Sequence, residues 1–447
     1  MIYNPCMSKS KRAILLILVF LALLVTVLLV PPFRTRLAWR LEDLSARVFR
    51  LLNPPEQVTF KPGQGTQPPT LTAATLDAVQ TTPLSAPTSQ PSPGPTWTPT
   101  ITPTPLPETV SLTGFRYESQ RGGYNYCGPA NFSMALNFWG WKGDRNTIVK
   151  ALMPGNLDAK DQPVNLDKNV MPYELQEYVR DNVPGLKVII RMGGDVLLLK
   201  RLLAAGFPPL VEKGYYETDY TGKLGWMGHY QFVTGYDEPQ GTLIVQDTYN
   251  DGPDFHIGYD EFMQGWRAFN YLFLIVYPQE RETEVFALLG PWADEWWAAQ
   301  HALEVAQGEV NQLTGVDQFF AQFNIGSSLA KLQRYAEASY AFDQAFIFYN
   351  ALPDDGTRPY RMMWYQTWPY WAYYYSYRYS DVLSLANTTL NETISKPVLE
   401  ESLYWRGMAH YALGEIQPAI DDFRAALRIN PGFEAARFAL QNMGVSP

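Results

Sequence analysis

The chain has 447 residues, of which 46% are hydrophobic and 14% aromatic, and its formal net charge at neutral pH is −9. This length suits two or three domains, the apolar fraction excludes wholesale disorder, and the acidic charge makes nucleic-acid binding unexpected. Because Cys6 and Cys127 are the two cysteines, we expect no disulfide framework and no multi-cysteine zinc site, and we predict no metal or cofactor.

An apolar run near the N-terminus predicts a membrane anchor. Residues 13–30 carry no charge, and a run of this length can cross a bilayer as a helix. Pro31 and Pro32 follow it instead of a small-residue cleavage site, so we expect an uncleaved anchor after a short tail, residues 1–12. Basic residues flank both ends, but a short tail held inside is the commoner arrangement. We expect a single-pass protein of the cell membrane with an extracytoplasmic body, and the reverse orientation stays open.

Two further segments separate the anchor from the predicted folded domains. In residues 31–52 leucine and valine recur at helical spacing among arginines, which predicts an amphipathic juxtamembrane helix, either solvated or lying on the membrane. Proline, threonine, serine and glutamine dominate residues 53–111. Such a composition buries too little apolar surface to fold, so we predict a disordered stalk.

Cys127 stands at the predicted start of a helix. Pro129 suits the first helical turn, and apolar residues follow it at helical spacing. The unpaired backbone N–H groups and the dipole at a helix N-terminus favour a thiolate over a thiol. Cys127 is therefore a candidate nucleophile, and the alternative is a buried cysteine that acts only as a small hydrophobic residue.

His229 is the candidate base for that nucleophile. It opens a β-rich segment, and the next predicted strand ends at Asp247. In such a hairpin Asp247 returns close to the register of His229, where it can orient the imidazole. Gln120 precedes Cys127 across a pair of glycines, and its amide can join the Cys127 backbone N–H in stabilising an oxyanion.

Together these residues resemble the papain-like cysteine peptidases of family thirty-nine, relatives of the double-glycine leader peptidases of bacteriocin exporters. The resemblance covers about residues 112–277. It is carried by Gln120, Cys127-Gly128-Pro129-Ala130, Gly228-His229-Tyr230, Gly235-Tyr236-Asp237 and Gln246-Asp247. The resemblance implies an α+β papain-like domain with a cysteine-bearing helix packed on an antiparallel sheet. It implies Cys127 as nucleophile, His229 as general base and Asp247 as orienting residue, and it makes Gln120 the oxyanion donor.

Two departures from the exporter peptidases limit what the resemblance implies. Those peptidases usually carry proline after the third catalytic residue, whereas Thr248 follows Asp247 in this chain. They are also fused to a transporter with a phosphate-binding loop, and this chain contains no GxxxxGK[ST] motif. Cleavage of leader peptides is therefore not implied.

After Pro278 the strand pattern gives way to alanine-rich helices that contain a repeat. The spacing of Gly326, Ala338, Phe342 and Ala345 recurs in Gly407, Ala419, Phe423 and Ala426. This pattern resembles tetratricopeptide repeats, whose stacked helix pairs leave a concave face for a protein partner. We predict an all-α helical repeat domain over residues 279–447.

These patterns predict a cysteine peptidase-like domain at 112–278 that is followed by the helical repeats. The predicted function is a membrane-anchored thiol hydrolase that cleaves a peptide or amide bond in a peptide or protein substrate, with repeats that bind substrate or a partner. Two alternatives stay open: a catalytically idle scaffold that acts through its repeats, and a transamidase that passes the acyl group to an amine. We also expect residues 112–278 to fold alone around one core.

Overall fold

The computed structural model describes residues 60–63, 105–121, 125–154, 169–218, 224–249, 251–354, 357–391 and 399–447. The predicted tail, anchor and juxtamembrane helix, residues 1–52, lie outside the described residues. Within the described ranges, no helix is both long enough and apolar enough to cross a membrane.

A seven-stranded antiparallel sheet organises the first half of the described chain. Its strands are β1 (Thr109–Ser111), β2 (Leu186–Arg191), β3 (Pro209–Thr218), β4 (Leu224–Asp237), β5 (Thr242–Gln246), β6 (Phe255–Gly258) and β7 (Phe273–Pro278). The strands lie in the order β2-β7-β3-β4-β5-β6, and β1 pairs with β4 outside this path. The longest pairing joins β3 and β4, from Leu210 opposite Phe232 to Thr218 opposite Leu224.

Among the described residues that precede Pro278, five helices lie on the two faces of this sheet. They are α1 (Cys127–Phe138), α2 (Arg145–Leu152), α3 (Pro172–Asn182), α4 (Val196–Ala204) and α5 (Tyr259–Arg267). Side chains alternate between faces along a strand, so Leu210 packs with α1 and α3 while its neighbour Val211 packs with α4 and α5. The predicted α+β class of this region is therefore confirmed.

The rest of the described chain is helical, as predicted. Its helices are α6 (Glu282–Leu289), α7 (Glu295–Val310), α8 (Gly315–Lys331), α9 (Tyr335–Ala351), α10 (Met362–Tyr365), α11 (Trp368–Tyr375), α12 (Tyr379–Asn391), α13 (Glu400–Ala412), α14 (Ile416–Ile429) and α15 (Glu434–Asn442). The recurring glycine and phenylalanine meet in both repeated pairs. A Cβ added to Gly326 would lie 2.6 Å from the Phe342 ring, and one on Gly407 would lie 2.8 Å from Phe423. The repeated glycine and phenylalanine thus lie where α8 packs closely on α9 and where α13 packs closely on α14.

The apolar core of residues 112–278 extends into the helices that follow. Trp226 of β4 stacks on Phe269 with ring centroids 6.0 Å apart, and it also contacts Phe320 of α8 at 5.6 Å. Conversely, Val285 and Leu289 of α6 are buried in the sheet core. The change from strands to helices at Pro278 marks a change of secondary structure, but the apolar core continues across it.

The predicted stalk, residues 53–111, is folded at two places. Phe60 is buried against the helical region, with its ring centroid 4.8 Å from that of Phe346. Thr109–Ser111 pairs with β4, where Thr109 lies opposite Asp237. Composition misses both places because a single aromatic side chain and three backbone pairings are enough to dock them. Residues 53–59 and 64–104 lie outside the described residues.

Candidate active site

Cys127 is the first residue of α1, at the helix N-terminus that the sequence predicts. Its side chain is half-buried. Burial opposes ionisation of the thiol, but hydrogen bonding with His229 and with the backbone N–H groups of Tyr230 and Gly128 lowers the pKa of Cys127 below its usual value. The site therefore favours a thiolate.

His229 lies on β4 and is almost completely buried. Its Nε2 atom is 3.0 Å from Oδ2 of Asp247, and it also hydrogen bonds with Cys127. Because Nε2 faces Asp247, the other ring nitrogen, Nδ1, faces the sulfur. Burial alone would lower the pKa of His229, but the charges of Asp247 and Cys127 raise it to about 10. Both shifts favour a thiolate paired with an imidazolium.

Asp247 directly follows β5, so the end of that strand brings its carboxylate to His229. The Gln231 side chain donates to Oδ2 at 3.0 Å, and the Tyr249 backbone N–H donates to Oδ1 at 2.8 Å. Burial disfavours the carboxylate, but the His229 charge and these donors hold the pKa of Asp247 well below its usual range. The structure thus brings together three of the four predicted site residues.

Gln120, the fourth predicted residue, is buried beside Asp247. Its backbone N–H donates to the Thr248 carbonyl at 2.9 Å, and its Oε1 atom accepts from the Thr248 hydroxyl at 2.8 Å. The Asn131 amide donates to that same hydroxyl at 3.2 Å and to the Cys127 carbonyl at 3.0 Å. Hydrogen bonds therefore connect Gln120 to the first turn of the cysteine-bearing helix.

Comparison with known families agrees with this arrangement. Residues 112–272 match the model of the Peptidase_C39 like family, and residues 400–433 match that of the tetratricopeptide repeat. The chain contains a C39-like domain and a tetratricopeptide repeat. The predicted resemblance to both families is confirmed.

One similar solved structure is described as a C39-like peptidase from Bacillus anthracis. It is 15% identical in sequence, the alignment covers 38% of this chain and 98% of that chain, and the TM-score is 0.30. No curated protein matches this chain at a significant level.

Several residues of the C39-like site were missed by the sequence analysis. Asn131 and Gln231 were within reach of it, because Asn131 lies one helical turn after Cys127 and Gln231 shares a strand face with His229. Asn131 also joins α1 to β4, since it donates to the Tyr230 carbonyl at 2.8 Å and accepts from the Phe232 N–H at 3.0 Å. Among the described residues, no group of three or more His, Cys, Asp or Glu side chains is placed to hold a metal ion.

Glu212 on β3 is a buried carboxyl beside the C39-like site, and no sequence pattern pointed to it. It is 1% exposed, and its Oε1 atom has no hydrogen-bond partner among the described residues. Burial and the nearby charge of Cys127 raise the pKa of Glu212 well above its usual value, which favours the neutral carboxyl. A neutral group there does not repel a thiolate.

Two cavities border residues described above. One, of about 420 Å³, is lined by His229 and Asp247 together with side chains of β3 and α5. The other, of about 440 Å³, lies between the C39-like domain and the helical region and is lined by Glu212 and Tyr365 among others. The helical region therefore contributes to the surroundings of the site.

Proposed function

We propose that the chain is a membrane-anchored cysteine peptidase that cleaves a peptide or amide bond through Cys127, His229 and Asp247. The observation that carries the proposal is the 3.0 Å contact between His229 Nε2 and Asp247 Oδ2, with the Cys127 sulfur on the other side of the same imidazole. A nucleophile, a base and an orienting acid in this order are what acyl transfer requires.

In the proposed mechanism the Cys127 thiolate attacks the carbonyl carbon of the substrate. The carbonyl oxygen becomes an oxyanion, which accepts hydrogen bonds from the Cys127 backbone N–H and from the Gln120 side chain. The His229 imidazolium gives its proton to the departing amine, and a thioester remains on Cys127. Neutral His229 then takes a proton from water, the water oxygen attacks the thioester, and the acid product leaves with the thiolate restored.

The membrane anchor and the partner surface belong to the same proposal. The uncharged run at residues 13–30 supports an anchor, and we place the body outside the cytoplasm. The tetratricopeptide repeat supports binding of a protein partner or substrate. Protease added to intact cells should then release the body by cutting within residues 64–104, and a body protected until the membrane is permeabilised would reverse the orientation.

Reaction of the full chain with a fluorescent iodoacetamide tests the chemistry. Cys127 should be alkylated much faster at pH 7 than an unperturbed thiol, whose pKa is about 8.5. His229→Ala should slow the reaction, whereas the matched control His256→Ala should not, because His256 lies on β6 and contacts Thr242 instead. An alkylation rate that is indifferent to His229→Ala would overturn the proposal and favour the catalytically idle scaffold.

A second measurement separates hydrolysis from transfer to an amine, because both pass through the same thioester. Proteome-derived peptides are incubated with the full chain and with Cys127→Ala, and new termini are identified by mass spectrometry. New carboxyl termini that require Cys127 support a peptidase. Products joined to an added amine in place of free acids would instead identify a transamidase.

A further inference from the structure

We infer that the cavity beside His229 binds a carboxylate group, and that the buried ammonium group of Lys213 on β3 is the partner of that carboxylate. In the proposed peptidase, on which this inference rests, the carboxylate belongs to the part of the substrate that departs as the amine. The inference adds a residue for substrate recognition to the four predicted site residues.

Lys213 faces the interior of the domain beside the proposed base. It lies directly opposite His229 in the pairing of β3 with β4, and cross-strand partners project to the same face of a sheet. Val211, two residues earlier on β3, shares this face and packs with α4 and α5. Lys213 thus occupies a core-facing position, and it is 6% exposed.

Helix α5 covers the aliphatic part of the Lys213 side chain. A Cβ on Gly265 would lie 3.3 Å from Cε of Lys213, so a larger residue at this place in α5 would crowd the lysine. The Nζ atom lies 6.0 Å from the centroid of the Phe262 ring, which is the outer limit of a cation–π contact. Lys213 lines the same cavity of about 420 Å³ as His229 and Asp247.

The ammonium group of Lys213 lacks a direct partner. Within the described part of the chain it makes no hydrogen bond and no ion pair, and its charge interacts only at longer range with Glu261, Asp247 and Asp251. Asp247 is already paired with His229, while Asp251 and Glu261 are exposed, so water screens their charges. Because a buried charge is costly unless it is paired and hydrogen bonded, Lys213 offers its N–H donors to a ligand in the cavity.

The other buried charges of the cavity wall are balanced. Asp247 and His229 form one pair, and Asp317, which also lines the cavity, forms an ion pair with Arg267 at 3.2 Å. The charge of Lys213 is therefore the one that a ligand has to match. A carboxylate matches it and accepts charge-assisted hydrogen bonds from the ammonium group.

The position of His229 decides which part of the substrate carries the carboxylate. In the proposed mechanism the imidazolium protonates the departing amine, so that amine lies against the imidazole. His229 also lines the cavity, and the residues that follow the scissile bond are therefore the ones that reach Lys213. Their carboxylate has two sources, an Asp or Glu side chain and the free C-terminus of a short peptide.

Protection of Cys127 from iodoacetamide tests the inference in the full chain, because a molecule bound beside His229 should slow alkylation. The probes are amidated dipeptides of glycine and Asp in both orders, the same dipeptides with Asn, and glycylglycine with a free or an amidated C-terminus. At least one acid should protect at a concentration about tenfold lower than its amide, the scale of a hydrogen bond to a charged group. Protection by the Asp dipeptides identifies an acidic side chain as the source, and protection by free glycylglycine identifies the C-terminus.

Variants assign the acid preference to Lys213. Lys213→Met removes the ammonium group at similar volume and should abolish the difference between acids and amides. The matched control Lys187→Met removes a lysine of β2 that pairs with Glu282 at 2.9 Å and should leave the difference unchanged. If Lys213→Met fails to fold, the comparison of acids with amides in the unchanged chain decides.

The outcomes distinguish this inference from the proposed function. Equal protection by acids and amides, no protection by any dipeptide, or an acid preference that persists in Lys213→Met would overturn the inference. Alkylation that still depends on His229 would leave the peptidase proposal standing in each of these cases. Loss of the His229 dependence would overturn both.

Discussion

Thr248 donates its hydroxyl proton to Oε1 of Gln120 at 2.8 Å, and the same hydroxyl accepts from the Asn131 amide at 3.2 Å. A hydroxyl has one proton, so this chain of hydrogen bonds has one direction. It holds the carbonyl end of the Gln120 amide. In the sequence, Thr248 was only a departure from the proline usual in exporter peptidases. Proline has no hydroxyl, so the contact between Thr248 and Gln120 is one that a proline at this position could not make.

Replacement of this threonine should weaken turnover without weakening the nucleophile. Thr248→Val removes the hydroxyl at nearly constant volume, so kcat/KM on a cleaved peptide should fall about three- to tenfold, the worth of one neutral hydrogen bond. Gln120→Ala should cost more, about a hundredfold, because it removes the oxyanion donor itself. Both variants should keep the alkylation rate of Cys127, measured with iodoacetamide.

Thr248→Ser is the matched rescue, since serine keeps the hydroxyl, and Thr242→Val is the control for loss of a hydroxyl elsewhere. A Thr248→Val enzyme with unchanged kcat/KM would mean that Thr248 does not position Gln120. If the alkylation rate of Cys127 fell together with kcat/KM, the substitution would instead have weakened the nucleophile.

The buried pair predicts a pH profile with limits on both sides. The lowered pKa of Cys127 means that activity should appear below the range of an ordinary thiol as pH rises. The imidazolium protonates the leaving amine, and the pKa of His229 is raised to about 10, so kcat/KM should decline as pH approaches that value. The profile of kcat/KM against pH measures both limits.

Asp247→Asn should shift the alkaline limit of this profile. It removes the charge that raises the pKa of His229, so the decline in kcat/KM should move toward neutral pH, with a lower maximum. Asp237→Asn changes a half-buried carboxylate at the far end of β4 and should leave the profile unchanged. An alkaline limit that stays in place in Asp247→Asn would contradict the assigned ion pair.

The site was predictable where its residues lie in short contiguous segments. The helix start at Cys127 and the return of β5 to His229 are local patterns, and a hairpin carries Asp247 back without knowledge of the rest of the fold. Glu212 and Tyr365 were not predictable, because no local pattern connects a glutamate on a strand or a tyrosine after residue 360 to that cysteine. Only the pairing of β3 with β4 and the docking of α10 bring them there.

The boundary between the two regions carries buried carboxyls that predict pH-dependent stability. Glu400 and Glu401 on α13 are buried, and Glu401 accepts from the Tyr173 hydroxyl of α3 at 3.4 Å. The Asn430 amide donates to Glu400 at 3.1 Å and to Glu174 of α3 at 3.4 Å. Burial raises the pKa of Glu400 to about 7, and burial together with the charge of Glu400 raises the pKa of Glu401 well above its usual value.

A raised carboxyl pKa in the folded state stabilises the protein fully below the unfolded value, near about 4.3, and this contribution is lost as pH rises through the folded value. The denaturant concentration at the unfolding midpoint should therefore decrease as pH rises from about 5 to about 8. Glu400→Gln should make this decrease smaller. Denaturant titrations at several pH values measure it, with Glu415→Gln, an exposed glutamate of the helical region, as control. An unchanged slope in Glu400→Gln would show that Glu400 is not the responsible group.

The contacts of Phe60 indicate that residues 60–63 stabilise the helical region, although their composition predicted only a disordered stalk. Its ring is 4% exposed and packs on Phe346 and Tyr373, the Asn350 amide donates to its carbonyl at 3.0 Å, and Gly63 N–H donates to Asp381 at 2.7 Å. Truncation of a buried phenylalanine costs about 3–5 kcal/mol in a closed core. Residues 60–63 form a short segment that can undock as a whole. The loss of stability in Phe60→Ala therefore cannot exceed the free energy that docking of this segment contributes.

Phe60→Ala in the full chain should thus lower the thermal midpoint of the helical region by several degrees and speed proteolysis close to residues 60–63. The control Phe438→Ala removes a phenylalanine that is 57% exposed on α15 and should change neither measurement. Alkylation of Cys127 should stay the same in both variants, since Phe60 packs on α9 and α11 and not on the site. Equal proteolysis rates for Phe60→Ala and Phe438→Ala would mean that residues 60–63 are not docked in solution.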